Sequence, residues 1–446
     1  MPYIANTAED QKEMLKFIGC NSFDELWQKV EINSKMPTYS YMPTGRSEFE
    51  VIKIAKELAS KNNTHLVNFV GAGFYDHIIP AAIGNLITRG EFQTAYTPYQ
   101  AEGSQGTLQY IYEYQTAICR LTGMEVSNAS LYEGGTALFE AVMMAVRSTR
   151  KRRAIVSGAV SPIYRKMLEC YCSNLNIELV LIPEDEVSSN PKALLNALND
   201  KTACVVVQYP NVFGTIEDWT EVIAETHAKK ALAICSTYPI ALGLLKTPGE
   251  MGFDIVTAEG QSLGIPLSFG GPYLGIMATT EKHMRKMPGR ICGRTEDTEG
   301  KQGFVLTLQA REQHIRRENA MSNVCSNESS CALSAIIYLS LIGKEGLRKI
   351  ASLCASKAVY AKELLTQIKG VEPVGNSPFF NEFVIRVPGD ASEVVQRLLD
   401  KGYAGGFPLG RYYSDKKDQL LIALTEKRTK EEIKGLATAM EAVLWN

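Results

Sequence analysis

Between about Leu66 and Ala278 the chain repeats one pattern, in which a short apolar run rich in Val and Ile gives way to a longer amphipathic stretch. The runs are Ala154 to Ser157, Ile177 to Ile182, Ala203 to Gln208, Ala231 to Cys235, Asp254 to Thr257 and Leu274 to Thr279. Apolar runs this short have the length of strands buried on both faces, and the stretches between them have the period of helices. Parallel strands need such crossovers. The pattern therefore predicts an α/β fold, a mostly parallel sheet flanked by helices.

The flanks read differently. Residues 1 to about 60 predict a helical arm, with Thr7 and Ser22 as N-caps before apolar repeats, the first holding Met14, Leu15 and Ile18. The large domain is expected over 61–330. From 331 onward a helical stretch around Cys331 to Ile342 leads into a half-exposed strand over Asn381 to Val387, a helix over Ser392 to Lys401 and a strand over Gln419 to Leu424. That describes a small C-terminal α+β domain over 331–446. With no internal repeat, low-complexity tract or long linker, the pieces are expected to pack as one unit.

Charge excludes some functions. Lys plus Arg number 47 against 49 Asp plus Glu, a net of -2, so no basic field draws in nucleic acid or an anionic membrane. Met1 to Asp10 lacks a basic stretch followed by an apolar one, and no segment reaches the ~18 uninterrupted apolar residues of a bilayer span. A cytoplasmic protein that engages no membrane is expected. The 10 cysteines are scattered through a chain of 446 residues, 45% of them hydrophobic, too large to need disulfide staples. Cys170 and Cys172 form only C-x-C, and no second pair or flanking His completes a metal site, so all ten are expected as reduced thiols.

Two motifs sit where α/β sheets bind ligands. Tyr209 to Gly214 (YPNVFG) follows the strand Val205 to Gln208, so its polar groups emerge at a carboxyl end, where open sheets hold their ligands. The alternative is a Pro-Asn turn that only ends the strand. Within Asn128 to Glu140 (NASLYEGGTALFE), Gly134, Gly135 and Thr136 open an apolar helix and would aim free backbone amides at an anion such as phosphate. An ordinary helix cap is the competing reading.

The anion-binding helix start, the Pro-Asn loop, the seven-strand-like count and the C-terminal cap domain together resemble the fold type I, transferase-like family of pyridoxal-phosphate enzymes. Such enzymes end one strand in an Asp that keeps the pyridine nitrogen protonated, and place just past the next strand a Lys that carries the cofactor as a Schiff base. Here the first strand ends Ala233-Ile234-Cys235-Ser236-Thr237-Tyr238, without an acid. After the second, Asp254 to Glu259, Gln261 or Ser262 stands where the lysine belongs, and Lys246 and Lys282 fall before that strand and beyond the following one. Cofactor-binding residues are therefore expected to be absent from this chain.

Four stretches make the resemblance specific: Phe92 to Gly106 (FQTAYTPYQAEGSQG), Leu263 to Pro272 (LGIPLSFGGP), Met287 to Arg290 (MPGR) with Gly293, and Leu306 to Cys325 (LTLQAREQHIRRENAMSNVC). They are similar, nearly word for word, to the N-terminal half of the glycine decarboxylase P-protein of the glycine cleavage system, made as a separate subunit in many prokaryotes. The likeness covers essentially the whole chain. One departure is Ser161-Pro162-Ile163-Tyr164-Arg165, where many relatives have His-Pro, so no role of that histidine carries over.

The resemblance implies a division of labour. A partner chain, the second P-protein subunit, would bear pyridoxal phosphate covalently, decarboxylate glycine and pass the aminomethyl group to the lipoyl arm of the H-protein, with T-protein and L-protein as further components. This chain would complete the pocket as part of a heterotetramer and be inactive alone. Candidate contributors are Tyr96, Tyr99, Gln100, Glu102 and Ser104, on a loop whose path Pro98 and Gly103 fix. The alternative is that these groups only satisfy loop backbone at a subunit contact. Arg311, His314, Arg316 and Arg317 form a basic stretch in which Arg316 and Arg317 cannot share one helical face. A purely structural or regulatory pseudo-enzyme of the same complex is the second reading. A stand-alone pyridoxal-phosphate lyase or aminotransferase conflicts with the missing lysine.

Overall fold

The structure is a computed structural model that describes residues 5–29, 41–322, 324 and 327–445. Cys325, which closes the last of the four motifs, lies outside the described residues. The chain divides into two compact units, Met1–Thr64 and His65–Asn446. The first unit is helical. Thr7 caps the helix Ala8–Ile18 in a reciprocal box with Asp10, and Ser22 caps Phe23–Gln28 through the amide of Glu25. Of the expected apolar trio only Leu15 is buried, while Phe17 and, on the helix Glu48–Ala59, Phe49 stand 94% and 77% exposed. A unit with so little interior has weak internal packing.

The second unit opens with the two-residue strand β1 (Val67–Asn68) and then builds a sheet of seven strands. These are β2 (Val126–Ser127), β3 (Arg153–Ser157), β4 (Glu178–Ile182), β5 (Thr202–Tyr209), β6 (Leu232–Thr237), β7 (Ile255–Glu259) and β8 (Gly275–Thr279). Their spatial order is β2-β8-β7-β6-β5-β3-β4, parallel from β7 to β4, with β8 antiparallel to both β7 and β2. Alternate residues of the central strands feed opposite cores. Val205, Val207, Ala233, Cys235 and Val256 join one, with Tyr114, Ile118 and Tyr338 from its helices. Cys204, Val206, Ile234 and Ile255 join the other, with Leu138, Val142 and Leu168. Burial on both faces is why the strands read as continuous apolar runs rather than as alternation.

Beyond the sheet, β9 (Ile291–Glu296) and β10 (Gln302–Thr307) form an antiparallel ribbon. The helix Ser329–Leu365 follows, longer than the expected Cys331 to Ile342 because a second helix starts at once after a break at Gly343 (φ 59°, ψ −174°). By length and composition it could cross a bilayer, yet it serves two cores along its length: Cys331, Ala335, Tyr338 and Cys354 in the large-domain core, Ala358, Ala361 and Leu365 in the C-terminal one. The change of core thus falls inside the helix, past Cys354. The C-terminal sheet joins β11 (Glu372–Pro373), β12 (Glu382–Arg386), β14 (Phe407–Pro408) and β15 (Gln419–Ala423), while β13 (Tyr403–Ala404) pairs with β1.

Candidate functional site

The carboxyl ends of β5, β6 and β7 meet residues of the C-terminal domain around a small polar cavity, lined among others by Ser161, Tyr164, Asn211, Tyr238, Glu259 and Glu382. It offers only about 30 Å³ to the centres of water-sized spheres. One water needs roughly 10–15 Å³ on that measure, so two or three fit and a pyridine ring does not. The Tyr209 to Gly214 loop lines this cavity with Pro210 and Asn211 and is held as a turn by its own side chain. Asn211 Oδ1 accepts from the amides of Phe213 (2.9 Å) and Thr215 (3.0 Å), and its Nδ2 donates to Val187 O and Glu217 Oε2, each at 3.0 Å. The turn reading of that loop is the one its geometry supports.

At the helix start the amides are in place but not free. The Gly134–Thr149 helix directs Gly134 N at Glu259 Oε2 (3.0 Å), and Glu133 accepts from both Thr136 N and Thr136 Oγ1. Glu259 Oε1 accepts two more amides, Gln261 N at 2.9 Å and Leu274 N at 3.1 Å. Burial pushes the Glu259 carboxyl up to about 7, even though its three backbone donors pull the other way. The expected anion is therefore supplied by the chain itself. Glycine is required here by close approach: a Cβ on Gly134 would lie 2.4 Å from the Tyr164 hydroxyl and 3.1 Å from Glu259 N.

Gln261, one of the two residues expected at the lysine position, is buried and fully engaged. Its Nε2 donates to Tyr75 O (3.1 Å) and Ile265 O (2.8 Å), and its Oε1 accepts from Tyr75 N (3.0 Å). Ser262 beside it is buried as well. No lysine lines the cavity. The residues present do not fit pyridoxal phosphate: there is no amine for its aldehyde, no acid from β6 for its ring nitrogen, no open donor set for its phosphate and no volume for its ring.

The five loop candidates do not converge. Tyr96 is 86% and Tyr99 50% exposed, Gln100 and Glu102 are exposed, but Ser104 is buried where the Gln105–Thr122 helix begins, its carbonyl accepting from Leu108 N at 3.0 Å. None of the five lines the cavity. Tyr99 is the anchored member: Arg290 Nη2 donates to its hydroxyl at 3.0 Å with the guanidinium 5.5 Å from the ring centre, and the His314 ring stands edge-on at 5.2 Å. Arg311 is a clamp rather than an anion ligand, donating to Met287 O and, at 2.7 Å, to Gly289 O. The basic stretch holds the short α-helical turn Gln313–Arg316 between the 3-10 turns Gln309–Arg311 and Arg317–Asn319, with Arg317 at φ 51°.

Sequence reasoning missed a buried relay behind the cavity. Tyr238 hydroxyl meets His77 Nε2, His77 Nδ1 meets Glu426 Oε2 at 2.6 Å, and Tyr75 hydroxyl donates to Glu382 Oε2 at 2.7 Å. Cys354 Sγ donates to the same Glu426 oxygen at 3.7 Å, so His77, Cys354 and Glu426 have the donor types of a metal site, drawn from three distant segments that spacing rules cannot connect. Both imidazole nitrogens are already spent on Glu426 and Tyr238, and burial raises the thiol, keeping it protonated. The nine described cysteines are all unpaired. For Glu259 a local signal did exist: an acid as the last residue of an otherwise apolar strand must find donors.

The sheet order, the helix-start donors at a carboxyl edge and the C-terminal α+β domain define the fold type I class of pyridoxal-phosphate enzymes. A glutamate decarboxylase of Lactobacillus brevis superposes with TM-score 0.68 over 93% of this chain and 96% of its own at 14% identity, a likeness of fold alone. Residues 1–440 match the family described as glycine cleavage system P-protein, and the chain belongs to that family. It is 53% identical over 433 residues, 97% of this chain and 98% of the relative, to the probable glycine dehydrogenase (decarboxylating) subunit 1 of Maridesulfovibrio salexigens. Over 444 residues, 100% of both chains, it is 52% identical to the protein of the same name from Geotalea daltonii. A crystal structure of glycine decarboxylase (P-protein) of the glycine cleavage system in inhibitor-bound form, 38% identical, superposes with TM-score 0.92 over 100% of both chains.

Proposed function

We propose that this chain is the subunit of a two-chain glycine decarboxylase that holds no cofactor, and that a partner of the same fold bears pyridoxal phosphate covalently and carries the bond-breaking chemistry. The observation behind this reading is the closed strand-end site, where Gln261 stands in the lysine position and Glu259 already fills the helix start. The chain's own contribution lies elsewhere. Tyr96, Tyr99, Gln100 and Glu102 would face the partner, with Arg290 holding the Tyr99 hydroxyl in one direction. A substrate without a side chain must be gripped by its carboxylate and amine, and phenolic and carboxamide groups suit that task. The product aminomethyl group would pass to the lipoyl arm of the H-protein, with T-protein and L-protein completing a cytoplasmic system. Two copies of each chain would assemble, because half of such a pair leaves apolar surface such as the arm's Phe17 and Phe49 uncovered.

Borohydride reduction of the isolated chain with pyridoxal phosphate, followed by peptide mapping, tests the assignment. No stoichiometric pyridoxyl-lysine and no glycine decarboxylation are expected until the partner is added. A single labelled lysine in this chain would sink the reading.

A further inference from the structure

The start of the Gly134–Thr149 helix is the point at which this chain disagrees most sharply with the cofactor its fold class employs. A helix of 16 residues presents unsatisfied amides and a partial positive charge at its first turn, and an anion is their natural partner. Here that partner is internal. One oxygen of Glu259 takes Gly134 N, and the other takes Gln261 N and Leu274 N, so a single carboxylate ties together the helix start, the turn after β7 and the approach to β8. Glu133, from the other side, takes the amide and hydroxyl of Thr136. Three backbone N–H donors from separate segments, converging on one carboxyl group, are the donor set of a phosphate cradle.

We propose that Glu259, assisted by Glu133, occupies the place of a phosphate in this chain, so that the cradle is a latent phosphomonoester site sealed by a built-in carboxylate. The seal explains the small cavity, since no space remains for three phosphate oxygens beside the carboxylate. It also explains how the donors survive without a cofactor, because amides left buried without an acceptor would each destabilise the fold. The inference does not depend on the identity of the partner chain, because it concerns contacts within this one.

Thermal melts of the full-length chain at constant ionic strength, set with sodium chloride, test it. The wild-type chain should be indifferent to 10 mM inorganic phosphate, to pyridoxal phosphate and to pyridoxal. Glu259→Ala should melt lower and regain stability with phosphate and with pyridoxal phosphate but not with pyridoxal, which lacks the phosphate group. A wild-type chain stabilised by phosphate as much as the variant would overturn the proposal, because the cradle would then be open. So would a folded Glu259→Ala chain indifferent to phosphate. Glu259→Gln, which keeps the volume but replaces an acceptor by a donor, covers the case in which the alanine variant does not fold. Its amides at Gly134, Gln261 and Leu274, the three that Glu259 holds, should exchange with solvent at least tenfold faster than in the wild type, with no slowing by phosphate, and unchanged exchange at all three would equally refute the proposal.

Discussion

The strand-end cavity and the loop carrying Tyr96 treat their polar groups in opposite ways. Around the cavity, Glu259, Gln261 and Asn211 spend their acceptors and donors on backbone partners within the chain. On the loop, among the described residues, Tyr96, Gln100 and Glu102 are exposed and make no side-chain hydrogen bond. Burial forces the first outcome, because a dry unpaired polar group costs about 1–3 kcal/mol. Exposure permits the second, since water satisfies the group until something else does. A site that has turned its polar groups inward is scaffold, and a loop that holds them outward is available to a partner.

The largest effect should come from forcing the closed region apart. Gly134→Ala would drive a methyl to within 2.4 Å of the buried Tyr164 hydroxyl, and overpacking of this kind is expected to cost about 2–4 kcal/mol in urea unfolding. Gly103→Ala on the loop meets nothing within 4 Å and should change stability by less than about 0.5 kcal/mol. Equal losses at the two glycines would erase the distinction between the regions.

Next in size is a pH effect confined to the buried region. Burial raises Glu382 from its ordinary 4.5 to about 7, against the pull of the Tyr75 hydroxyl and the Ala72 amide. An acid whose folded pKa is raised binds its proton more tightly in the folded state. Its contribution is therefore full below 4.5 and is lost as pH rises through about 7. At about 1.4 kcal/mol per pH unit, the loss approaches about 3 kcal/mol for this group. Unfolding free energy should fall between pH 5 and pH 8, and Glu382→Gln should flatten that slope. A variant as pH-dependent as the wild type would remove Glu382 as the cause. Glu102→Gln, on the exposed loop, should leave the slope untouched.

The smallest effect on the fold, though not on turnover, is expected at Tyr96. Tyr96→Phe should leave the melting temperature unchanged while slowing glycine–bicarbonate exchange by the intact complex by roughly one to two decades, the loss of one hydrogen bond of about 1–3 kcal/mol to the reacting complex. Unchanged rates for Tyr96→Phe, Tyr99→Phe and Glu102→Gln alike would reduce the loop to scaffolding and favour the pseudo-enzyme alternative.

Much of the fold is legible in the sequence. The apolar runs from Ala154 to Thr279 marked six strands of the main sheet because strands covered on both faces are mostly apolar, and Gly134-Gly135-Thr136 marked a helix start because only small residues admit close approach there. That Gln261 or Ser262, and no lysine, follows β7 is equally plain, since it needs only a position relative to a strand. What filled each vacancy was not. Glu259 reaches a helix start 125 residues away, and His77 meets a glutamate 349 residues away. Periodicity reports which face of an element a residue occupies, whereas these contacts depend on how separate elements are brought together. Ser104 shows the same limit in reverse: it shares a motif with Tyr96 yet is buried, because the loop turns into a helix between them. The sequence by itself determined the α/β class and that no lysine follows β7 at Gln261 or Ser262. Only the tertiary structure decided that the abandoned cradle is closed by the chain's own carboxylate, because desolvated amides accept whichever anion the fold brings to them.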